Sequence, residues 1–386
     1  MGVEVAASEV VRITRPSPQY LMGSGKADDV CALLEAHDAD LLVFDDDLTA
    51  PQQHLWEKKS KCAVIDRRKV IIDIFGQRAC SHEARLQIEL ARLEYTLPRI
   101  KRAWTHLERQ RGGGGFVGGA GELQIEVDRR LVRDKIAKLR RELIEVRRHR
   151  DTQRKNRSRN DVSTAALVGY TNSGKSTLLN TMTGAGVLAE NKLFATLDPT
   201  TRRVDLPNGQ PLLVTDTVGF IRKLPHSLVE AFKSTLEEAV LADFLIHVVD
   251  ATHPKVFEHI EVTTRLLEEL GAREKPTVLA VNKIDLLENP DEMAGAFRAL
   301  AERTVFVSAR TGQGLEELVT HLLSLTSAGM ANVHLRIPQS RFDVVSSMHR
   351  EGEVLEERYD PGSVLMHVRL PKRFESRVLE FATAPW

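Results

Sequence analysis

The chain has 386 residues, and its 54 lysines and arginines balance 54 acidic residues, so the formal net charge is zero. The length indicates two or three domains at roughly 100–200 residues each, and a hydrophobic share of 42% excludes wholesale disorder. Three cysteines, at 31, 62 and 80, are too few for a disulfide framework. With no apolar run of about 20 residues and no signal peptide, we expect a cytoplasmic protein without membrane contact.

Residues 1–80 are predicted to form a small α/β domain. The apolar runs at 41–44 and 62–65 end in acidic residues, as buried parallel strands often do. Between them, residues 51–59 are predicted to form a helix that Thr49 begins. The run at 23–26, Gly-Ser-Gly-Lys, lacks the first glycine and the hydroxyl residue of a phosphate-binding loop, so it predicts a turn into a helix.

Residues 81–160 are predicted to form an antiparallel helical hairpin with a glycine-rich tip. Apolar residues between 83 and 107 recur at steps of three and four, which is typical of a helix that packs on another helix, and Pro98 should kink it. A glycine-dense loop at 112–121 follows. The second helix is expected from about Glu122, with its apolar stripe at Leu123, Val127, Leu131, Ile136, Leu139, Leu143 and Val146.

Residues 161–328 show a different pattern, in which strand-like runs alternate with helical stretches. This alternation predicts an α/β domain, with a mostly parallel sheet covered by helices on both faces. The turn Pro207-Asn208-Gly209 predicts one antiparallel hairpin, which makes the sheet mixed. Residues 329–386 are predicted to form a small α+β C-terminal domain in the order β-α-β-β-α.

A phosphate-binding loop is predicted directly after the apolar run at 165–168. Residues 169–176 fit G-x-x-x-x-G-K-S, follow a predicted strand and open a helical stretch, which is the context that the motif requires. Its backbone N–H groups would wrap phosphates, Lys175 would bridge the β- and γ-phosphates, and the Ser176 hydroxyl would bind Mg²⁺. The predicted residues are Gly169, Tyr170, Thr171, Asn172, Ser173, Gly174, Lys175 and Ser176.

Three further motifs follow the phosphate-binding loop, each at the end of a predicted strand. The first is predicted to place a carboxylate near the metal and a glycine N–H near the γ-phosphate, and it comprises Asp216, Thr217, Val218 and Gly219. The second is predicted to recognise guanine, because the carboxylate of its aspartate can accept hydrogen bonds from the ring N–H and the exocyclic amine of that base. It comprises Asn282, Lys283, Ile284 and Asp285. The third, Ser308, Ala309 and Arg310, adds a backbone contact to the base. Together they predict a GTPase with Lys175, Asp216 and Gly219 as catalytic residues.

The switch segment before Asp216 leaves alternatives open. A threonine there would complete Mg²⁺ coordination, and the sequence does not choose among Thr196, Thr200 and Thr201. The segment predicted to contact GTP comprises Phe194, Ala195, Thr196, Leu197 and Asp198. Phe220 stands where many signalling GTPases carry a water-orienting glutamine. Either intrinsic hydrolysis is slow until a partner completes the site, or Phe220 simply packs against the switch.

The whole chain resembles the HflX family of ribosome-associated GTPases. Matches outside the nucleotide motifs are YLMGSGK at 20–26, FDDDL at 44–48, DIFGQRA at 73–79, LARLEY at 90–95, GELQIEVDRR at 121–130 and FATLD at 194–198. The chain begins near the family's second strand, and Gly-Ala-Gly-Glu-Leu at 119–123 departs from the usual Gly-Pro-Gly-Glu-Thr. The resemblance implies binding to the large ribosomal subunit and, in some members, splitting of stalled or idle ribosomes.

The second hairpin helix carries the charge that favours an RNA partner. Residues 129–159 hold fourteen lysines and arginines against four acidic residues, a net charge of +10. Such an excess attracts a phosphate backbone, whereas a merely solvated helical face usually mixes both signs. The predicted RNA-binding residues are Arg129, Arg130, Arg133, Lys135, Arg140, Arg141, Arg147 and Arg148.

The sequence therefore predicts a GTP-hydrolysing switch, monomeric when free, that uses Mg²⁺ and binds the rRNA of the large ribosomal subunit. GTP would order the switch segment, and ribosomal contacts would then speed hydrolysis and release. Two alternatives stay open at this point. One is a GTP-dependent RNA-binding factor for ribosome assembly, and the other is a non-hydrolysing interaction protein whose nucleotide site only stabilises the fold.

Overall fold

The computed structural model describes residues 4–100, 118–157, 162–184, 199–222, 237–328 and 330–384. The chain forms two compact units. The boundary between them lies within the long second helix of the hairpin, between His149 and Arg150. Among the described helices, none combines the length and the apolar character needed to cross a bilayer.

The first unit begins with a two-stranded parallel sheet and three helices. Strand β1 (Leu41–Phe44) pairs in parallel with β2 (Ala63–Asp66), and the helices are α1 (Ser24–Ala36), α2 (Ala50–Ser60) and α3 (Arg67–Arg78). The predicted strands and the predicted helix at 51–59 are confirmed. Thr49 caps α2 through a capping box with Gln52. The helix predicted after Gly23 is α1, with Gly23 as its N-cap residue.

The hairpin follows in the same unit. Helix α4 (His82–Thr96) ends in a 3-10 turn, Leu97–Arg99, at the predicted kink, and α5 (Gly118–Arg157) is the second helix. The predicted pairing of these helices is confirmed, since their buried leucines and isoleucine form one cluster, Leu86, Leu90, Ile136, Leu139 and Leu143. Residues 101–117, which include the end of the first predicted helix and most of the predicted tip, lie outside the described residues.

Two details of α5 differ from the prediction. The helix begins at Gly118 rather than near Glu122, although a glycine costs a helix about 1 kcal/mol relative to alanine. The 40-residue helix has already met the cost of nucleation, so extension through these glycines remains feasible. Leu131 is 60% exposed, and Val132 packs on the cluster instead, because the seam steps by four and three from residue 132 onward.

The second unit contains a six-stranded sheet in the order β4-β5-β3-β6-β7-β8. Strands β4 and β5 form the predicted antiparallel hairpin, and all other neighbours pair in parallel, which confirms the mixed, mostly parallel sheet. The strand bounds are β3 (Ser163–Val168), β4 (Thr200–Asp205), β5 (Pro211–Asp216), β6 (Phe244–Asp250), β7 (Thr277–Asn282) and β8 (Thr304–Phe306).

Helices cover both faces of this sheet, as predicted. They are α6 (Lys175–Thr183), α7 (Val256–Glu269), α8 (Pro290–Leu300) and α9 (Leu315–Ala328). Alternate residues of β6 enter different clusters: Ile246 packs with residues of α6 and α9, and Leu245 packs with Leu267 of α7. Since β3, β5, β6 and β7 run in one direction, their carboxyl ends meet at one edge of the sheet.

The C-terminal sheet has the order β10-β11-β9-β12 and is antiparallel throughout. The predicted order β-α-β-β-α is confirmed, and the short strand β12 follows it. The bounds are β9 (Met330–Pro338), α10 (Phe342–Glu351), β10 (Glu353–Asp360), β11 (Ser363–Pro371), α11 (Lys372–Val378) and β12 (Ala382–Thr383).

A buried ion pair ties the parallel sheet of the first unit to the base of the hairpin. Asp66, 1% exposed at the end of β2, accepts from the backbone N–H groups of Leu48 and Lys69 at 3.2 and 2.9 Å. The guanidinium of Arg99 approaches the same carboxylate at 3.2 Å, donates to the Leu48 carbonyl at 2.8 Å, and lies 3.5 Å from the centre of the Tyr95 ring. Neither charge is left without compensation.

We predict that Arg99→Ala destabilises the first unit by about 3–5 kcal/mol, because it leaves a buried carboxylate without its cation. Urea unfolding followed by tryptophan fluorescence measures this, since Trp56 is fully buried in the same unit. The control is Arg92→Ala, whose exposed pair with Asp73 at 3.6 Å should contribute less than about 1 kcal/mol. Equal losses in the two variants would contradict the role of Arg99.

Candidate functional site

The loop between β3 and α6 has a backbone path that only glycine fits at two positions. Gly169 has φ +145°, and a Cβ there would lie 2.2 Å from the carbonyl oxygen of Val248. Gly174 has φ +96°, and a Cβ there would lie 2.2 Å from Nδ2 of Asn282. The loop is therefore wrapped tightly against β6 and β7, and its amide groups lead into the N-terminus of α6.

Lys175 is buried at the first position of α6. Its Nζ donates to the carbonyl oxygens of Gly169 and Tyr170 at 3.1 and 2.9 Å. Burial lowers the pKa of Lys175 to about 8, and the nearby Asp216 carboxylate offsets part of this effect. A cation so poorly hydrated gains strongly from an anionic ligand, and phosphate oxygens would replace neutral carbonyls as its partners.

A hydroxyl and a carboxylate lie side by side next to this lysine. Ser176 Oγ donates to Oδ2 of Asp216 at 2.6 Å, and Asp216, at the end of β5, is 2% exposed. Oxygen ligands of this kind suit a hard cation such as Mg²⁺. Gly219 follows closely: a Cβ there would lie 2.7 Å from Cα of Thr171 and 3.0 Å from Nζ of Lys175.

Phe220 is a core residue. Its side chain is 2% exposed and packs with Ala166, Val168 and Leu245. Its backbone N–H donates to the carbonyl of Gly169 at 3.0 Å, and its carbonyl accepts from the N–H of Thr171 at 2.8 Å. Phe220 therefore packs in the core of the domain, while the switch segment at 194–198 against which it could pack lies outside the described residues.

The other end of the site is organised by Asn282. Its Nδ2 donates to the Ser173 carbonyl at 2.8 Å, and its Oδ1 accepts from the N–H of Ala309 at 2.9 Å. Asp285 is exposed and accepts from the Ser308 hydroxyl at 2.7 Å. An exposed carboxylate beside the Ala309 backbone is the acceptor that a guanine edge requires.

The fold thus brings the four predicted motifs to one edge of the sheet. Within them, Val218 and Ile284 are buried, and the Thr217 hydroxyl donates to the Leu167 carbonyl at 2.6 Å, so these positions stabilise the edge itself. Arg310 is exposed. The predicted contacts of Phe194, Ala195, Thr196, Leu197 and Asp198 lie outside the described residues.

Of the remaining switch threonines, Thr200 is exposed and faces Asp216 across the antiparallel register of β4 and β5. The Thr201 hydroxyl lies 2.9 Å from the Thr215 hydroxyl, within the same hairpin. Thr201 is therefore engaged in the sheet, and the described residues leave Thr200 as the candidate near the carboxylate.

Two further residues at this edge were not identified from the sequence. Asp250, at the end of β6, pairs with Nζ of Lys283 and fixes the lysine of the base motif. Its position after an apolar run is the signal that could have found it. His247 is buried in β6, where burial and the charge of Lys175 lower its pKa to about 4, so it stays neutral. Nothing in a single sequence shows that this side chain is buried beside a lysine.

The predicted RNA-binding residues lie on α5, where they separate into two groups. Lys135 and Arg140 form ion pairs with Glu89 and Glu94 of α4, each at 2.7 Å. A second group consists of further exposed residues, Arg130, Arg133, Arg141 and Arg148; Lys135 and Arg140 are exposed as well. Arg129 is half-buried, and the side chain of Arg147 lies outside the described residues.

The sheet order, the glycine-constrained loop and the buried lysine define the class: a P-loop GTPase. Family models match the chain in order, with the N-terminal region of GTP-binding GTPases at residues 1–76, their middle region at 78–157, and the 50S ribosome-binding GTPases at 164–283. The enzyme hydrolyses GTP, and the alternative of a non-hydrolysing interaction protein is wrong.

Curated relatives narrow this class to one family. GTPase HflX of Akkermansia muciniphila is 47% identical over 99% of this chain and 90% of its own, and GTPase HflX of Escherichia coli is 44% identical over 96% and 87%. The chain belongs to the HflX family of GTPases. A crystal structure of a GTP-binding protein from Sulfolobus solfataricus in complex with GDP is 25% identical over 82% of this chain and 89% of that one, with a TM-score of 0.47.

We predict that Asp285→Ala weakens GDP binding by about 100-fold or more, because two hydrogen bonds from guanine to a charged acceptor are lost. Fluorescence titration with a labelled GDP measures the affinity. Since Asp285 is exposed, the thermal midpoint without nucleotide should stay close to that of the unmodified protein. The control Glu288→Ala removes another exposed carboxylate of the same loop. Unchanged GDP affinity in Asp285→Ala would contradict the assignment of the base site.

Proposed function

We propose that this GTPase binds the large ribosomal subunit and couples GTP binding and hydrolysis to the splitting or rescue of stalled or idle ribosomes. The observation that carries the proposal is the arginine face of α5, formed by the exposed residues Arg130, Arg141 and Arg148. The match of residues 164–283 to the 50S ribosome-binding GTPases supports the same partner.

The geometry of α5 suits a nucleic-acid backbone. Arg130, Arg141 and Arg148 are spaced by eleven and seven residues, close to three and two helical turns, so they share the face opposite the seam. From Arg130 to Arg148 the helix rises roughly 27 Å, at about 1.5 Å per residue. A row of guanidinium groups of this length spans several phosphates and releases the counterions bound to them.

The ion-paired residues have a different role in this proposal. Lys135 and Arg140 face the carboxylates of Glu89 and Glu94 on α4, so each has an acidic partner within the hairpin. They hold the two helices in register, whereas the arginine face contacts RNA. Of the eight basic residues predicted from the sequence, three therefore belong to the binding set and two to the structural set.

We also propose how the site holds GTP. Lys175 binds the β- and γ-phosphates, Gly219 offers its N–H to the γ-phosphate, and Asp285 reads guanine. The hydroxyl of Ser176 beside Asp216 fits Mg²⁺, with Thr196 or Thr200 as the switch ligand, and the ion would neutralise phosphate charge. With Phe220 buried in the core, ribosomal contacts are needed to bring hydrolysis to its full rate.

Splitting is tested by light scattering of intact ribosomes mixed with the protein and GTP, where the proposal expects a drop in scattering. An assembly factor that leaves formed ribosomes intact would bind without that drop, and this outcome would contradict the splitting proposal. The same assay with a non-hydrolysable GTP analogue shows whether GTP binding alone drives splitting or whether hydrolysis is needed.

We predict that the double variant Arg130→Ala/Arg141→Ala loses splitting activity, because it removes phosphate contacts. The dependence of large-subunit binding on salt should also weaken, with the log–log slope falling by about 1.4–1.8. The matched control Lys135→Ala/Arg140→Ala removes the same charge from the same helix and should keep the slope. If both variants bind and split alike, the arginine face is not the binding surface.

A further inference from the structure

Tyr170, the second residue of the phosphate-binding loop, lies at the junction of three elements. Its backbone belongs to the loop, its ring stacks on α7, and its hydroxyl reaches the chain that follows Gly219. The phosphate-loop motif tolerates any residue here, so the sequence pattern gives the side chain of the tyrosine no role. The structure gives it specific contacts on both sides.

The ring of Tyr170 is held in place by histidines. It stacks on His259 of α7 with a centroid distance of 3.6 Å and an interplanar angle of 3°. His259 in turn contacts His253, with centroids 4.2 Å apart. Burial, together with the neighbouring His253, lowers the pKa of His259, which favours the neutral form of the stacked ring. Stacking between neutral rings fixes the plane of the phenol and therefore the direction of its oxygen.

The hydroxyl of Tyr170 accepts the backbone N–H of Arg222 at 3.0 Å. The guanidinium of Arg222 also donates to the Glu258 carboxylate of α7 at 3.0 Å. Arg222 is therefore fixed to the phosphate-binding loop through its backbone and to α7 through its side chain.

These contacts extend a ladder that starts at Phe220. Its N–H and carbonyl bond to Gly169 and Thr171, and the bond from Arg222 to Tyr170 adds a third attachment two residues further on. The segment that contains Gly219 is thereby attached to the loop that would hold the phosphates. The backbone of Gly219 is thereby held beside that loop.

We propose that Tyr170 is a positioning residue for GTP hydrolysis, holding the chain from Gly219 to Arg222 against the phosphate-binding loop. With a buried phenyl ring at position 220, this site depends on backbone groups, whose effect relies on being fixed in advance. This role of Tyr170 applies to hydrolysis by the isolated GTPase, without the ribosome. It rests on the proposed contact between Gly219 and the γ-phosphate.

The test is single-turnover hydrolysis by the isolated full chain at saturating GTP, with GTP and GDP affinities measured in parallel. Tyr170→Phe keeps the stack and removes the acceptor, so the rate constant should fall about three- to tenfold, the equivalent of one hydrogen bond. Both affinities should stay within about twofold. The control Tyr359→Phe removes the same hydroxyl from an exposed tyrosine of the C-terminal sheet.

A second pair of variants tests the stack. His259→Leu should lower the rate although the Tyr170 hydroxyl remains, and His259→Phe should restore it because an aromatic ring returns. Unchanged hydrolysis in Tyr170→Phe, or affinities that fall in step with its rate, would overturn the proposal. Hydrolysis that persists in Lys175→Ala would instead refute the assignment of the phosphate site, so the two failures are distinguishable.

Discussion

The buried amide of Asn282 is the contact on which the nucleotide site depends. With one nitrogen and one oxygen it bonds to the Ser173 carbonyl and the Ala309 N–H, so a single side chain joins the phosphate-binding loop to the loop beside the base. Both loops leave the sheet at its carboxyl edge, and the amide fixes the distance between Ser173 and Ala309 there.

Close backbone packing at three glycines is a second constraint on the nucleotide site. Gly169, Gly174 and Gly219 each approach neighbouring atoms so closely that a Cβ would lie under 3.0 Å from one of them. The buried Lys175 and the neutral His247 then share a poorly hydrated region in which an anion is strongly attracted. In the proposed function, affinity for phosphate and selectivity for the base depend on this one edge, while the arginine face belongs to the other compact unit.

Zero net charge is the sum of two opposed regions. Residues 129–159 carry +10, so the remainder of the chain carries −10. In the proposed function this division matters for specificity, since acidic surface elsewhere would repel RNA from all parts of the protein except the hairpin. The structure refines the basic region further, because two of its residues, Lys135 and Arg140, pair with Glu89 and Glu94 of α4.

Local sequence was sufficient wherever a pattern repeats or a motif follows a strand. The six strands, the antiparallel turn at Gly209 and the four motifs were all predictable on that basis, and so was the order of the C-terminal elements. Contacts between distant segments were not: the stacking of Tyr170 on His259 and the pairing of Asp250 with Lys283 require the packing of α7 and the end of β6. Leu131 is exposed and its neighbour Val132 is packed, and apolar spacing alone did not show which of the two lies in the seam between the helices.

Co-sedimentation of the full chain with separated ribosomal subunits tests the central claim most directly, which is that GTP controls binding of the arginine face to the large subunit. The account predicts that the chain sediments with large subunits in the presence of a non-hydrolysable GTP analogue, and much less with GDP. Equal binding with either nucleotide, or a preference for the small subunit, would contradict it.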